Sequence, residues 1–204
     1  MKSIHYRNDQ EPILSLIQKH PILQTLFESP DEIHFELETN YFVALTSAIV
    51  SQQLSGKVAT VIYNRLTTLL KQEITPENFL RQSFDDLRGC GLSGQKIRYL
   101  TSLAELVESG EVHFRGIEDM TDQEIIEMLT KIKGIGVWTA EMFLMFSMGR
   151  EDVFSVLDLG LRSGLQKLYG KEMSKEEMVD IAMNWSPNRS VVSFYLWRYN
   201  ERVK

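Results

Sequence analysis

LTKIKGIGVWTAE, residues 129–141, places two glycines one residue apart in a run that otherwise has a helical pattern on both sides. Glycine adopts positive φ and has no Cβ, so Gly134 and Gly136 allow a sharp reversal and a close approach of the backbone to a ligand. The N–H groups that begin the second helix lie at the positive end of its dipole and favour an anion, and Lys131 and Lys133 flank them. The stretch predicts a tight helical hairpin with a phosphate site, although an ordinary glycine-rich helix connection has the same local pattern.

The composition is that of a globular protein. Of the 204 residues, 43% are hydrophobic and 25% are charged, which suits one domain or two small lobes with a substantial core. No apolar run reaches the roughly 20 residues of a membrane-spanning helix, and no basic segment followed by an apolar one opens the chain. We therefore expect no membrane partner and a cytoplasmic location.

The number of cysteines, the spacing of the histidines and the net charge exclude several classes of function. The single cysteine, Cys90, can form no internal disulfide and cannot supply the four thiolates of an iron-sulfur cluster. The four histidines are scattered without metal-ligand spacing, so a metal cluster is not expected. A formal net charge of -6 argues against a protein that coats nucleic acid through bulk charge, but it allows a local basic surface.

Helix-start signals recur along the chain and predict an all-α protein. Residues suited to cap a helix precede apolar runs at Thr39 or Asn40, Ser55, Thr75, Ser83, Thr121, Asp158 and Ser174. Pro187 is placed to open the last helix. The segment 34–37 alternates as an extended chain would, and SQQLS at 51–55 forms a helix-helix corner with two consecutive amides, an unusual pair.

Five further blocks follow this corner in a fixed order. They are KGIGVWTA at 133–140, DVF at 152–154, DLGLR at 158–162, WSPNRS at 185–190 and YLWR at 195–198. Together with the corner they resemble the helix-hairpin-helix DNA glycosylase superfamily, and within it the alkylpurine branch, the 3-methyladenine DNA glycosylase II family. The ordered set spans roughly residues 40–200 and is more specific than any single block.

The resemblance implies an all-α, two-lobed helical bundle that contains the helix-hairpin-helix motif and an interlobe cleft. Residues 1–38 and 150–204 would form one lobe from the terminal segments. Residues 39–149 would form a central helical lobe that ends in the hairpin. The expected partner is double-stranded DNA containing alkylated bases, bound by a monomer, at the nucleoid or in the nucleus depending on the source organism.

By position, Asp158 matches the family's essential aspartate, which stabilises positive charge on the deoxyribose as the base leaves and helps a water attack C1′. The physical logic is independent of the resemblance, because an oxocarbenium-like centre needs a preorganised carboxylate, and a helix N-terminus keeps that carboxylate ionised. Members that also cleave the backbone have a lysine nucleophile two residues beyond the second hairpin glycine. Trp138 stands there, which implies a monofunctional enzyme that excises alkylated purines such as 3-methyladenine and 7-methylguanine in base excision repair.

The resemblance also assigns residues to the base and to DNA. Trp138 and Trp197 match positions of the base pocket, where indoles suit a cationic alkylated purine, and Met142 falls where some relatives have a tyrosine. Gln53 matches the residue inserted through the minor groove, with Leu54 or Ser55 as alternatives. The other expected DNA contacts are those of Lys133, Gly134, Ile135, Gly136, Val137 and Arg162.

One ion is implied and no other cofactor. In the family, carbonyl oxygens equivalent to those of Thr130, Ile132 and Ile135 bind a monovalent cation at the hairpin when DNA is bound. No iron-sulfur cluster is expected, because the chain has one cysteine.

The approach to Asp158 departs from the family pattern. Relatives often have a proline shortly before the aspartate, whereas this chain has FSVLD at 154–158, so a less rigid approach is expected. The departure keeps open a competing hypothesis, a non-catalytic helix-hairpin-helix protein that binds damaged or bent DNA. A third hypothesis, a lyase that uses another lysine, is disfavoured by Trp138.

Overall fold

The computed structural model describes residues 2–28 and 32–203. Within them the chain is mainly helical, which confirms the all-α prediction, and the sheet content is one antiparallel pair. Strand β1 (Ser3–Tyr6) pairs with β2 (Ile33–Glu36), with Ile4 opposite Phe35. The alternation at 34–37 predicts most of β2. No strand was predicted at β1.

The helices form one series along the chain. They are α1 (Glu11–Lys19), α2 (Gln24–Phe27), α3 (Tyr41–Ser51), α4 (Gly56–Leu69), α5 (Pro76–Leu80), α6 (Phe84–Gly89), α7 (Gly94–Glu108), α8 (Asp122–Leu129), α9 (Val137–Phe143), α10 (Leu159–Tyr169), α11 (Lys175–Met183) and α12 (Arg189–Arg202). Turns of 3₁₀-helix occupy Pro21–Leu23 and Ile117–Asp119, and a π-helical turn, Leu144–Met148, follows α9 directly. In the part of the chain that the structure describes, no helix is long and apolar enough to cross a bilayer.

Six of the twelve helices in the described residues begin at predicted side-chain caps. Side-chain oxygens accept a backbone N–H of the first turn at Asn40, Thr75, Ser83, Thr121, Asp158 and Ser174. Two expectations are wrong. Ser55 precedes α4 without a side-chain capping bond, because its contribution is the carbonyl oxygen that accepts the N–H of Ala59. Pro187 does not open α12, since Asn188 donates its N–H to Trp185 O and places the proline inside the preceding turn.

The chain divides into two compact units. One consists of Met1–Leu37 and Leu144–Lys204, and the other of Glu38–Phe143. The second boundary was expected at 149/150 and lies at 143/144. The interlobe cleft implied by the resemblance stays a prediction.

Aromatic packing explains the position of the second boundary. Phe146, in the π-helical turn, stacks on Trp197 with ring centroids 5.7 Å apart and also contacts Phe194 at 5.5 Å, both on α12 of the unit formed by the terminal segments. Phe143, three residues earlier, packs against Tyr41 of the central unit at 5.2 Å. The chain therefore passes from one core to the other at the end of α9, before Gly149 ends the helical run with a φ of +71°.

Within the unit formed by the terminal segments, α10 packs closely on α12. Gly164 makes this possible, because a Cβ at that position would lie 2.8 Å from the carbonyl oxygen of Leu196. The close approach of the two backbones brings the C-terminal half of α12 to the N-terminus of α10. That N-terminus carries Asp158, and the facing turn of α12 carries Trp197.

Candidate active site

Asp158 is held in one orientation at the start of α10. Its Oδ1 accepts the backbone N–H of Leu161 at 2.8 Å, which confirms the predicted N-cap, and it also accepts the indole Nε1–H of Trp197 at 2.8 Å. The side chain is half-buried. Two N–H donors and the start of α10 thus act on one carboxylate oxygen and hold it in place.

The contact between Asp158 and Trp197 depends on a glycine. A Cβ on Gly160 would lie 2.9 Å from Trp197 Cδ1 and 3.1 Å from both Trp197 Nε1 and Asp158 Oδ1. Such distances are below van der Waals contact for carbon, so a side chain at 160 displaces the indole, the carboxylate or both. Trp197 was expected in the base pocket, and in the structure this tryptophan also orients the aspartate.

The strap that leads to Asp158, residues 150–157, is tied to α12. Ser190 is fully buried, and its Oγ accepts the N–H of Val153 at 3.0 Å and donates to the carbonyl oxygen of Arg150 at 2.7 Å. The backbone N–H of Ser190 donates to Glu151 O at 2.9 Å. Hydrogen bonds from α12 thus hold residues 150–153, and the less rigid approach expected at 154–158 stays a prediction.

An ion pair joins the start of the strap to the start of α12. Arg189 contacts Asp152 through two bonds, Nε to Oδ1 at 2.7 Å and a terminal nitrogen to Oδ2 at 3.1 Å, and Ser186 Oγ donates to Oδ2 at 2.7 Å. Burial opposes the ionisation of Asp152, but the hydrogen bonds from Arg189 and Ser186 outweigh it and hold the pKa of this carboxyl below its ordinary value. The pair fixes the turn before α12 to the strap.

The hairpin between α8 and α9 has the predicted form. Ile135 donates its N–H to Ile132 O at 3.0 Å across the turn, both isoleucine side chains are buried, and Lys133, Gly136 and Val137 are exposed. The backbone at the start of α9 is thus presented to solvent between anchored apolar residues.

The two hairpin glycines differ. Gly134 has a φ of +85°, and a Cβ there would overlap the ring of Tyr99, so this position accepts glycine alone. Gly136 has no positive φ and has open space where a Cβ would stand. The expectation that both glycines serve the reversal is wrong for Gly136, because it has no positive φ and its carbonyl oxygen already accepts the N–H of Ala140 at the start of α9.

The carbonyl groups named for a cation fit that role in part. Backbone carbonyl oxygens are suitable ligands for a monovalent cation, and those of Thr130, Ile132 and Ile135 all belong to the hairpin. Ile132 O already accepts the N–H of Ile135, which leaves its second lone pair for an ion. Among the described residues there is no group of three or more His, Cys, Asp or Glu side chains that could hold a metal ion.

The corner between α3 and α4 carries the residues predicted to enter DNA. Gln53, Leu54 and Ser55 are exposed, and Gln53 has a φ of +57°, which is uncommon for a residue with a side chain. Sequence reasoning missed the role of the preceding residue, Gln52, whose Nε2 donates to Gly134 O at 2.9 Å. The unusual pair of consecutive amides was the signal for it.

The remaining candidates lie on α9 and α10. Trp138 has 43% of its side chain exposed in the first turn of α9, and Met142, four residues later, is half-buried on the same face. Arg162 is half-buried in the first turn of α10, and its Nε is buried without a hydrogen-bond partner among the described residues. The unit formed by the terminal segments therefore brings together Asp158, Trp197 and Arg162, and the central unit carries the hairpin, the corner, Trp138 and Met142.

Comparison with known proteins agrees with this arrangement. The family model of the HhH-GPD superfamily base excision DNA repair protein matches residues 46–187. The chain is similar to DNA-3-methyladenine glycosylase 1 of Schizosaccharomyces pombe, with 38% identity over 159 residues, which are 76% of this chain and 70% of that protein.

Solved structures give the same result. The fold is similar to the crystal structure of a DNA-3-methyladenine glycosidase from Bacillus halodurans, with a TM-score of 0.89 and 38% identity over 97% of this chain and 92% of that one. It is also similar to the 3-methyladenine DNA glycosylase of Schizosaccharomyces pombe in complex with abasic DNA, with a TM-score of 0.73 and 33% identity over 93% and 91% of the two chains.

Proposed function

The chain belongs to the HhH-GPD superfamily of base excision DNA repair proteins, and from this membership we propose that it is a monofunctional DNA glycosylase that excises alkylated purines. Relatives 34–38% identical in sequence are named DNA-3-methyladenine glycosylases, and their common activity is hydrolysis of the N-glycosidic bond. The observation that carries the proposal is the Asp158 carboxylate, oriented by the N–H groups of Leu161 and Trp197.

The reaction needs a charge stabiliser more than an acid. As the bond between C1′ and the base nitrogen breaks, the base takes the electron pair and the sugar becomes oxocarbenium-like. Asp158 stabilises this positive charge, and it accepts a proton as water adds to C1′. A base that is cationic before cleavage leaves as a neutral molecule, so no side chain has to protonate it.

Trp138 explains why the product is an abasic site. Lyase activity requires an amine nucleophile that forms a Schiff base with C1′. Trp138 stands at the position of that lysine in the bifunctional members and cannot form one. Hydrolysis by water is therefore the reaction assigned to this enzyme, and the strand stays intact.

Aromatic side chains recognise the extruded base in this proposal. A cationic purine is attracted to the face of an indole, and Trp138 has an exposed ring while Trp197 keeps a stacked partner in Phe146. Met142, in place of an aromatic residue, offers a flexible apolar surface that tolerates several base shapes. We assign these three residues to base recognition.

The DNA contacts follow the chemistry of each element. The backbone from Lys133 to Val137 binds a phosphate, with a monovalent cation on the nearby carbonyl oxygens as an additional link. Gln53, flanked by Leu54 and Ser55, fills the gap left by the extruded nucleotide. Arg162, whose buried Nε lacks a partner among the described residues, supplies a further cation to the DNA backbone.

The proposal places the protein where genomic DNA lies, in the nucleoid or the nucleus. It acts as a monomer on double-stranded DNA and requires no redox or metal cofactor for the hydrolysis, since Asp158 and water are sufficient.

Release of bases from methylated DNA tests the proposal. Duplex DNA treated with a methylating agent is incubated with the protein, and the free bases are separated by chromatography. We expect 3-methyladenine and 7-methylguanine in the soluble fraction, intact strands, and no covalent complex with abasic DNA after borohydride treatment. Binding without base release would instead indicate a non-catalytic protein that recognises damaged DNA, and a trapped complex would indicate a lyase.

A further inference from the structure

The corner between α3 and α4 gives its two glutamines different surroundings. Leu54 donates its N–H to Ser51 O at 3.2 Å, Gln52 has φ −51° and ψ 130°, and Gln53 has φ +57°. These values match a type II turn, whose third residue requires positive φ and favours glycine or asparagine. Gln53 occupies that position with its side chain exposed, while Gln52, one residue earlier, is half-buried.

Gln52 connects this turn to the hairpin. Its Nε2 donates to Gly134 O at 2.9 Å, although the two residues are 82 positions apart in the sequence. The acceptor is itself fixed, because the ring of Tyr99 occupies the place of a side chain on Gly134 and Ser102 Oγ accepts the backbone N–H of Lys133 at 3.3 Å. The hydrogen bond therefore ends on a rigid part of the hairpin.

Side chains of α7 contact both the hairpin and the end of α3, next to the corner. Lys96, Tyr99 and Ser102 follow one another at intervals of three residues, so they lie on the same side of the helix. Tyr99 and Ser102 contact the hairpin, and Lys96 Nζ donates to Val50 O, near the end of α3, at 2.6 Å. Burial lowers the pKa of Lys96. The corner and the hairpin thus share a rigid support, and Gln52 is the side chain that joins them directly.

We propose that Gln52 is a positioning residue, which fixes the corner that carries Gln53 relative to the hairpin that binds the DNA backbone. The inference rests on the proposed function, since it assigns Gln53 to the gap left by the extruded base. An inserted side chain offsets the free-energy cost of unstacking a base only when it enters the duplex at the correct base step. The phosphate that the hairpin binds determines which base step faces Gln53. The distance between the corner and the hairpin therefore has to be constant.

Two variants of Gln52 remove its N–H donor at nearly constant size. Gln52→Met has no donor, and Gln52→Glu places a carboxylate against the carbonyl oxygen of Gly134. Gln18→Glu, on the exposed face of α1, controls for the added negative charge. Single-turnover excision is measured on a duplex with one 7-methylguanine opposite cytosine and on the same duplex with an abasic analogue opposite the lesion. Thermal unfolding shows that each variant is folded.

We expect Gln52→Met to slow excision about fivefold to tenfold on the paired lesion, the effect of losing roughly one hydrogen bond. On the same paired lesion, Gln52→Glu should slow excision more than Gln52→Met does. On the unpaired lesion, both variants should slow excision less than about twofold, because a base without a partner costs less to extrude. Gln18→Glu should match the wild type. Equal slowing on both duplexes, or an unchanged rate in Gln52→Met on the paired lesion, would overturn the proposal.

A second readout separates this inference from the proposed function. A 2-aminopurine next to an abasic analogue in duplex DNA reports by its fluorescence whether a side chain enters the stack. If the wild type excises no base, the proposed function fails, and this signal still decides the role of Gln52. A signal that is present in the wild type and reduced in both Gln52 variants supports the positioning role, and equal signals contradict it.

Discussion

At the residue scale, the candidate active site is one carboxylate oxygen with two donors. Asp158 was predictable as an N-cap, because that signal is local in the sequence, and its catalytic role is a proposal. Its contact with Trp197 was not predictable, since the two residues are 39 positions apart and meet only when α10 packs on α12. Gly160 and Gly164 are the residues that permit this approach, and neither has a sequence signal of its own.

Gly160→Ala tests the orientation of the carboxylate. The new methyl group would lie 2.9 Å from the indole of Trp197 and 3.1 Å from Asp158 Oδ1. We expect excision to fall on the order of tenfold, because a small displacement of a catalytic group has a large effect on rate. Gly89→Ala, which has open space around the added Cβ, is the matched control. The measurement is the single-turnover excision rate of each variant. If Gly160→Ala excises at the wild-type rate, as Gly89→Ala is expected to, the assigned geometry is contradicted.

The sequence shows that Gln52 and Gln53 form an unusual pair, but it does not show that the two residues have different roles. The pair of amides is visible in the sequence, and the resemblance assigns one of them to DNA. The backbone conformation that separates their roles, with positive φ at Gln53, occurs beside a hydrogen bond from Gln52 to the hairpin. That bond joins distant segments, so no local pattern could predict it.

At the element scale, the hairpin was the most predictable feature. Its reversal depends on Gly134 and on flanking isoleucines, which are signals within six residues. The assignment of equal roles to the two glycines was wrong, because the positive φ of Gly134 and its packing against Tyr99 distinguish it from Gly136, and the sequence shows neither. The hydrogen bonds that hold the strap were not predicted, since they come from a buried serine on α12 rather than from the strap's own residues.

Ser190→Ala tests the connection between the strap and α12. The variant leaves the N–H of Val153 and the carbonyl of Arg150 without their Ser190 partner in a fully buried site. An unsatisfied buried group costs about 1–3 kcal/mol, so the free energy of unfolding should fall by about that amount. Ser109→Ala, at an exposed position, should change it by less than about 0.5 kcal/mol. Denaturant unfolding checks both values, and equal stabilities would contradict this account of the strap.

At the scale of the whole molecule, helix caps and apolar periodicity were sufficient to predict an all-α protein. The division of the chain was less accessible, because the boundary after Phe143 depends on which aromatic core each residue joins. Phe146 and Phe143 look alike in the sequence, yet they pack against Trp197 and Tyr41 in different units. Tertiary contacts of this kind have no local signature.

The stability of the molecule should depend on pH through Asp152. Its pKa is lowered in the folded state, so its ionisation stabilises the fold above the ordinary aspartate pKa of about 3.9, and this contribution is lost as the pH falls through the lower folded value. We expect Asp152→Asn to be less stable than the wild type at pH 7 and the difference to narrow below about pH 4. Asp9→Asn, in an exposed ion pair with Arg7, should behave like the wild type at pH 7. A difference for Asp152→Asn that is constant between pH 7 and pH 3 would contradict the assigned ion pair.

Asp158→Asn removes the negative charge on which the proposed hydrolysis depends. Asparagine is an equally good N-cap and keeps an oxygen that accepts the N–H groups of Leu161 and Trp197, so the fold and the binding of abasic duplex DNA should be retained. The negative charge is lost, and preorganised charge stabilisation of this kind is worth on the order of a hundredfold or more in rate. The measurement is the single-turnover release of 7-methylguanine by the wild type and the variant at saturating enzyme. The account predicts a loss of at least about a hundredfold with unchanged DNA binding, and a variant that releases the base at the wild-type rate would contradict it.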